Sequence, residues 1–290
     1  MFEGAYTAIV TPFNQDGSVD YGKLQALIEI QVAGGIDGVV PMGTTGESPT
    51  LDFDEHERVI EVSIEAARRR IKVIAGTGAN STDEALRLTR HALQAGADGT
   101  LQVTPYYNRP SQEGLYRHFT AVADLGLPVV LYNVPSRTAR EIEVATVARL
   151  AQHPRIVALK EAGGSVDRVS QVLRACQITV VSGDDALTLP MMAVGARGVI
   201  SVASNVAPAP IARMVHAALR GQWSEAQALH AQYHRLFTDL FVESNPGPVK
   251  AAMAMLGQIE EVYRLPMCAL NPANRQKVAE CLKELGLLKV

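Results

Sequence analysis

The chain has 290 residues, 47% of them hydrophobic and 20% charged, with 27 basic and 30 acidic side chains and a formal net charge of −3. A chain of this size and composition is expected to be a soluble globular protein that buries roughly three quarters of its unfolded surface without disulfide or metal staples. The near-neutral charge excludes the electrostatic footprint of a nucleic-acid binder, and no apolar run reaches the roughly 18 residues of a membrane span. Cys176, Cys268 and Cys281 are too far apart for a disulfide framework or a CxxC metal site. With no basic-then-apolar leader at Met1–Ala5, the expectation is a cytoplasmic protein without a metal.

Short apolar runs alternate with helix-period segments along the chain. Tyr6–Val10 precedes Tyr21–Ala33, Gly38–Met42 precedes Asp54–Arg69, Lys72–Ala75 precedes Ala85–Leu93, and Gly99–Val103 precedes Gln112–Asp124. Then Pro128–Asn133 leads to Ile142–Ala151, Ile156–Lys160 to Val166–Ala175, Thr179–Ser182 to Asp185–Val194, and Gly198–Ser201 to Pro208–Leu219. Runs that are apolar throughout, instead of alternating, mark strands buried on both faces. Asp52 with Glu55 and Ser81 with Glu84 have capping-box spacing, and Gly96 and Gly221 close helices. Eight strands alternating with eight helices predict an α/β fold, a parallel sheet closed into a (β/α)8 TIM barrel. An open doubly wound sheet is the rival; even spacing and the lack of Gly-x-Gly-x-x-Gly after the first strand favour closure. Beyond Gly221 the strand pattern stops. Ser224–Phe241, Pro248–Leu256 and Asn274–Leu285 read as a C-terminal helical appendage, dividing the chain into a barrel, 1–221, and C-terminal helices, 222–290.

In a barrel the chemistry sits at the C-terminal ends of the strands. There the sequence places Thr11-Pro12-Phe13, Gly43-Thr44-Thr45-Gly46-Glu47, Gly76-Thr77-Gly78, Thr104-Pro105-Tyr106-Tyr107-Asn108, Tyr132 through Thr138, Lys160-Glu161 and Ser182-Gly183-Asp184-Asp185. Of seven lysines, Lys23, Lys277, Lys283 and Lys289 suit exposed helical or tail positions, Lys72 opens a strand and Lys250 follows a proline turn. Lys160 alone terminates an apolar strand. Burial disfavours its ammonium form and frees the lone pair for attack on a carbonyl; an ion pair with Glu161 or another carboxylate is the alternative. Tyr132 ends the neighbouring strand, and a phenol linked to the hydroxyls of Thr44 and Tyr107 can shuttle the proton that imine formation requires. The Gly43–Gly46 loop could cradle an anion through its backbone N–H groups, and Arg137 could hold a carboxylate. Asp184 and Asp185 have the wrong sign for a phosphate barrel, and His230 with His234 lacks the acidic partner of a metalloprotease motif.

As a set, these motifs resemble the 4-hydroxy-tetrahydrodipicolinate synthase family over nearly the whole chain. The matching stretches are Ala8–Phe13, Gly43–Ser48, Val73–Asn80, Val103–Leu115, Leu131–Thr138, Lys160–Ala162, Ser182–Ala186, Gly198–Val202 and Asn245-Pro246 with Pro248-Val249-Lys250. The resemblance implies a lyase of the class I aldolase type that condenses pyruvate with L-aspartate 4-semialdehyde, on the route to lysine and diaminopimelate, without a cofactor. By that likeness Lys160 forms the Schiff base, and Tyr132 moves protons through Thr44 and through a Tyr107 that crosses to a partner subunit. Thr45 and the backbone at Ile200 would bind pyruvate, and Arg137 the semialdehyde carboxylate. The active unit would be a homo-oligomer, a tetramer built as a dimer of dimers. A lysine feedback site would comprise Ser48, Pro49, His56, Asn80, Glu84 and Tyr106. Sister aldolases acting on N-acetylneuraminate or 2-keto-3-deoxy sugar acids share the lysine and tyrosine; Thr44-Thr45 and Arg137 favour the synthase. Gly163, Gly247, Phe53 and Pro49 depart from the common pattern.

Overall fold

In the computed structural model, residues 1–288 are described; Lys289, which the sequence assigns to the tail, lies outside them. Eight strands pair in parallel in chain order: β1 (Gly4–Thr7), β2 (Gly38–Val39), β3 (Lys72–Gly76), β4 (Gly99–Val103), β5 (Val129–Asn133), β6 (Ile156–Glu161), β7 (Thr179–Ser182) and β8 (Gly198–Ser201). β8 returns to pair with β1, Gly4 opposite Gly198 through Thr7 opposite Ser201, which closes the barrel.

Successive strand side chains point to opposite faces, and here both faces are covered. Tyr6, Ala8, Val40, Ile74, Leu101, Val130, Tyr132, Ala158, Val181 and Ile200 fill the barrel interior as one cluster. Their neighbours Ala5, Val39, Val73, Ala75, Leu131, Leu159, Val180 and Val199 point outward into a second cluster shared with the helices. This is why the runs carry no polar alternation. The first strand ends earlier than its apolar run suggests. Ala8 and Ile9 still bond across to Ser201 and Val40, but Val10 N–H donates to the Asn205 side chain (3.2 Å), and Pro12 has no N–H to continue a ladder. β2 is cut short in the same way at Pro41.

The helices are α1 (Tyr21–Ala33), α2 (Phe53–Ala67), α3 (Thr82–Ala95), α4 (Gln112–Ala123), α5 (Pro135–Thr138), α6 (Val144–Leu150), α7 (Val166–Ala175), α8 (Thr188–Ala193) and α9 (Pro208–Leu219). The capping box at Asp52 is complete: its carboxylate accepts from Glu55 N–H, and Glu55 accepts from Asp52 N–H. The one expected at Ser81 does not form. Ser81 is the N-cap residue, but its hydroxyl makes no cap bond; Asp83 and Glu84 in the first turn meet the helix dipole instead. At the end of α2, Arg68 and Arg69 adopt left-handed backbone, while Arg70 bonds the Ala66 and Ala67 carbonyls and pairs with Glu29.

Three more helices follow: α10 (Trp223–Asp239), α11 (Gly247–Met255) and α12 (Pro272–Glu284). Their apolar residues Leu236, Phe237, Val249, Met253, Val278 and Leu282 belong to the same outer cluster as the barrel helices. Among the described residues no helix is long and apolar enough to cross a membrane, and the three cysteines are free.

Candidate active site

Register places the two expected reactive side chains together. β5 and β6 align Tyr132 with Lys160 and Asn133 with Glu161. The first pair faces into the barrel and the second faces out, because side chains alternate along a strand. Lys160 is 6% exposed, and its Nζ lies 4.1 Å from the Tyr132 ring centroid. Among the described residues no carboxylate pairs with it. The alternative that the sequence leaves open, an ion pair with Glu161 or another carboxylate, is therefore not formed among these residues. Glu161 points the other way, fully buried, and accepts from Asn133 Nδ2 (2.9 Å), Gly163 N–H (2.7 Å) and Arg168 Nε (2.9 Å). Arg168 also donates to the Ile142 carbonyl and pairs with Glu141. Gly183, just past β7, leaves room for the lysine stem: a Cβ there would stand 3.0 Å from Lys160 Cε.

Above these residues opens a cavity of about 450 Å³, lined by Thr44, Thr45, Tyr132, Arg137, Lys160, Gly183, Asp184, Phe237, Phe241 and Asn245 among others. Thr44 and Thr45 lie in a 3-10 turn, Thr44–Gly46, that ends at Glu47 in left-handed backbone (φ 54°). Arg137 sits at the rim on the short helix α5, and its guanidinium donates to the Asn245 carbonyl (3.2 Å). Ile200 lies inside the barrel on β8, 1% exposed and packed in the interior cluster; its side chain does not line the cavity. Tyr107 is not brought to Lys160 by this chain. It is 91% exposed, held outward at a positive φ of 70°. Asp184 lines the cavity, and its carboxylate accepts from Ala186 and Leu187 N–H in the turn ahead of α8; Asp185 is buried and accepts from Ser201, Val202 and Ala203.

Ser48, Pro49 and Tyr106 line a smaller adjoining cavity of about 210 Å³ that shares Thr44, Tyr132 and Arg137 with the first. His56, Asn80 and Glu84 are not in its lining. His56 is buried with Nε2 2.8 Å from the Gly76 carbonyl, and burial holds its pKa down at about 4. Asn80 contributes its carbonyl to Asn108. Burial, and then the Glu84 charge, push the Tyr106 hydroxyl pKa upward.

The sequence underrated two groups. Lys250 follows a proline turn in the sequence, yet it is fully buried and paired with buried Glu47 at 2.5 Å. Burial presses its pKa down while Glu47 opposes this. Asn245 lines the cavity and donates from Nδ2 to Thr45 Oγ1 (2.9 Å). The signal available was that Asn245, Lys250 and Glu47 all fall inside the recognised motifs; their partners, some 200 residues away, were not readable.

The arrangement is a buried primary amine, a phenol beside it, hydroxyls and a guanidinium around one cavity. It suits carbonyl chemistry on a small carboxylate-bearing substrate. A protein of Geotalea daltonii named 4-hydroxy-tetrahydrodipicolinate synthase is 52% identical over 291 residues, covering 99% of this chain and 100% of the relative. One of the same name from Syntrophus aciditrophicus is also 52% identical, with the same coverage. The crystal structure of dihydrodipicolinate synthase from Aquifex aeolicus superposes with a TM-score of 0.97 at 50% identity over 100% of both chains. The sequence profile of the dihydrodipicolinate synthetase family matches residues 1–285, and the chain belongs to that family.

Proposed function

We propose that the protein condenses pyruvate with L-aspartate 4-semialdehyde through an imine on Lys160, as a cytoplasmic lyase on the route to diaminopimelate and lysine. The observation that carries this reading is the buried Lys160 amine, unpaired with any carboxylate among the described residues and set against Tyr132 at the base of a cavity rimmed by Thr44, Thr45 and Arg137.

In this reading Lys160 Nζ adds to the C2 carbonyl of pyruvate, and Tyr132 delivers the proton with which the carbinolamine oxygen leaves as water. Thr44 and the partner subunit's Tyr107 carry that proton to and from Tyr132. Thr45 and the backbone at Ile200 hold the pyruvate carboxylate. Loss of a C3 proton gives an enamine, whose C3 bonds to the aldehyde carbon of the second substrate while Arg137 holds its carboxylate. The amino group of the adduct then attacks C2, closes the ring and displaces Lys160. The outward, 91% exposed Tyr107 supports a homo-oligomer, a tetramer built as a dimer of dimers. Ser48, Pro49 and Tyr106, with His56, Asn80 and Glu84 around them, would form a feedback site for lysine; an initial rate unchanged at saturating lysine removes that assignment.

The test is pyruvate consumption by purified protein with L-aspartate 4-semialdehyde, beside a panel of sugar aldehydes and the Lys160→Ala variant. Turnover with the semialdehyde alone, abolished by the substitution, is expected. Turnover only with sugar aldehydes would refute the assignment of the second substrate.

A further inference from the structure

Glu47 and Lys250 are both removed from solvent, at 1% and 0% side-chain exposure, and meet at 2.5 Å. Taking both charges out of water costs about as much as their attraction returns, and an apolar pair of equal volume would hold the fold as well or better. Stability alone therefore does not account for the pair. Its location is more informative. Glu47 is the left-handed residue that ends the Thr44–Gly46 turn, two positions beyond Thr45. Lys250 lies on α11, five positions beyond Asn245. From that same short segment Asn245 donates to Thr45 Oγ1, and its carbonyl accepts from Arg137. An accepting Thr45 oxygen leaves its own hydrogen free to turn into the cavity. Nearby groups complete the frame: Lys250 Nζ stands 4.1 Å from the Phe13 ring centroid, and Arg264 clamps Glu55 and the Gly17 and Thr50 carbonyls.

We propose that the Glu47–Lys250 pair is a positioning device: it anchors the Thr44–Thr45 turn to α11, so that Asn245 can fix the hydroxyl of Thr45 and the guanidinium of Arg137 toward a carboxylate-bearing substrate. The proposal rests on the reading of the cavity as a pyruvate site. Lys160 comes from the opposite wall, on β6, and does not depend on the tether. Loss of the pair is therefore felt as weaker pyruvate capture with an intact amine.

The readout is the imine formed by pyruvate alone, trapped with borohydride and measured by mass against pyruvate concentration. The Glu47→Gln/Lys250→Met double variant removes both charges with little change of shape. It is expected to stay folded, to need about tenfold more pyruvate for half-saturation, and to reach the parental extent of trapping at saturation. Glu47→Asp keeps both charges but draws them apart by one methylene, and is expected to shift half-saturation in the same direction by less. A folded double variant with the parental pyruvate dependence would overturn the proposal, as would an unchanged half-saturation in Glu47→Asp should the double variant not fold. Imine formation needs no second substrate, so an error in the aldehyde leaves this test standing. No imine in the parent protein would refute the reading of the site itself.

Discussion

Lys160 and Tyr132 were legible because a polar residue at the end of an apolar strand has one place to go in a barrel, and neighbouring strand ends face each other. Their alternates, Asn133 and Glu161, were not, since nothing in a local stretch says that Arg168 will reach back to meet Glu161. Replacing Tyr132 by Phe leaves the amine in place but removes the phenol proposed to shuttle its protons. Turnover and the rate of imine formation are expected to fall together by about 10²–10⁴, while the extent of borohydride trapping with pyruvate at long times is kept; a loss of that final extent would show that the phenol positions the lysine instead. Glu161→Gln leaves Arg168 buried with one charge unmatched. Unpairing a buried ion typically costs about 3–5 kcal/mol, so denaturant titration is expected to show a loss of that order. A midpoint equal to the parent's would mean that Arg168 finds enough compensation in Glu141.

The order of strands and helices was legible because each apolar run is short and each helix has a recognisable start. The errors lie at ends, where proline and capping geometry decide. β1 stops short of its apolar run as Val10 N–H turns to the Asn205 side chain, β2 stops ahead of Pro41, which offers no N–H, and Ser81 begins α3 without closing its box. Helices also set the response to acid. Burial holds His56 on α2 and His118 on α4 near pKa 4, against 6.5 for the ordinary group. The unfolded chain binds protons near 6.5 that the folded chain refuses until about 4. Stability present above pH 6.5 is therefore lost as pH falls through that window, by about 1.4 kcal/mol per pH unit for each fully affected histidine. The thermal midpoint is expected to drop between these values, with a shallower slope in His118→Gln. His216 on α9 has the opposite sign: its bond to Asp37 raises its pKa. Its contribution is complete below 6.5 and fades as pH rises through the raised value, so His216→Gln should lower the midpoint more at about pH 6 than at about pH 9. Equal losses at both would assign the bond no protonic role.

At the scale of the whole molecule, the separation of barrel and C-terminal helices is a division of sequence more than of function: we propose that 222–290 completes the site that 1–221 begins. We propose that the outward Tyr107 extends this beyond one chain, and subunit mixing tests it. Lys160→Ala and Tyr107→Phe proteins, each impaired alone, are expected to regain activity when unfolded and refolded together. A mixed pair would contain one site with its own Lys160 and a partner's intact Tyr107. No recovery would place Tyr107 in service of its own subunit.

The bonds that join Thr45 to Asn245 and Glu47 to Lys250 span 200 and 203 residues, and the ring of strands closes only when β8 finds β1. Contacts that distant form late, after neighbouring strands and helices have already found one another. We propose that the protein keeps time by its own length: the β5–β6 pairing that sets Lys160 beside Tyr132 forms early, while the bonds that hold Thr45 and Arg137 wait for the last quarter of the chain. During refolding, helical signal is then expected to return before the capacity to capture dilute pyruvate.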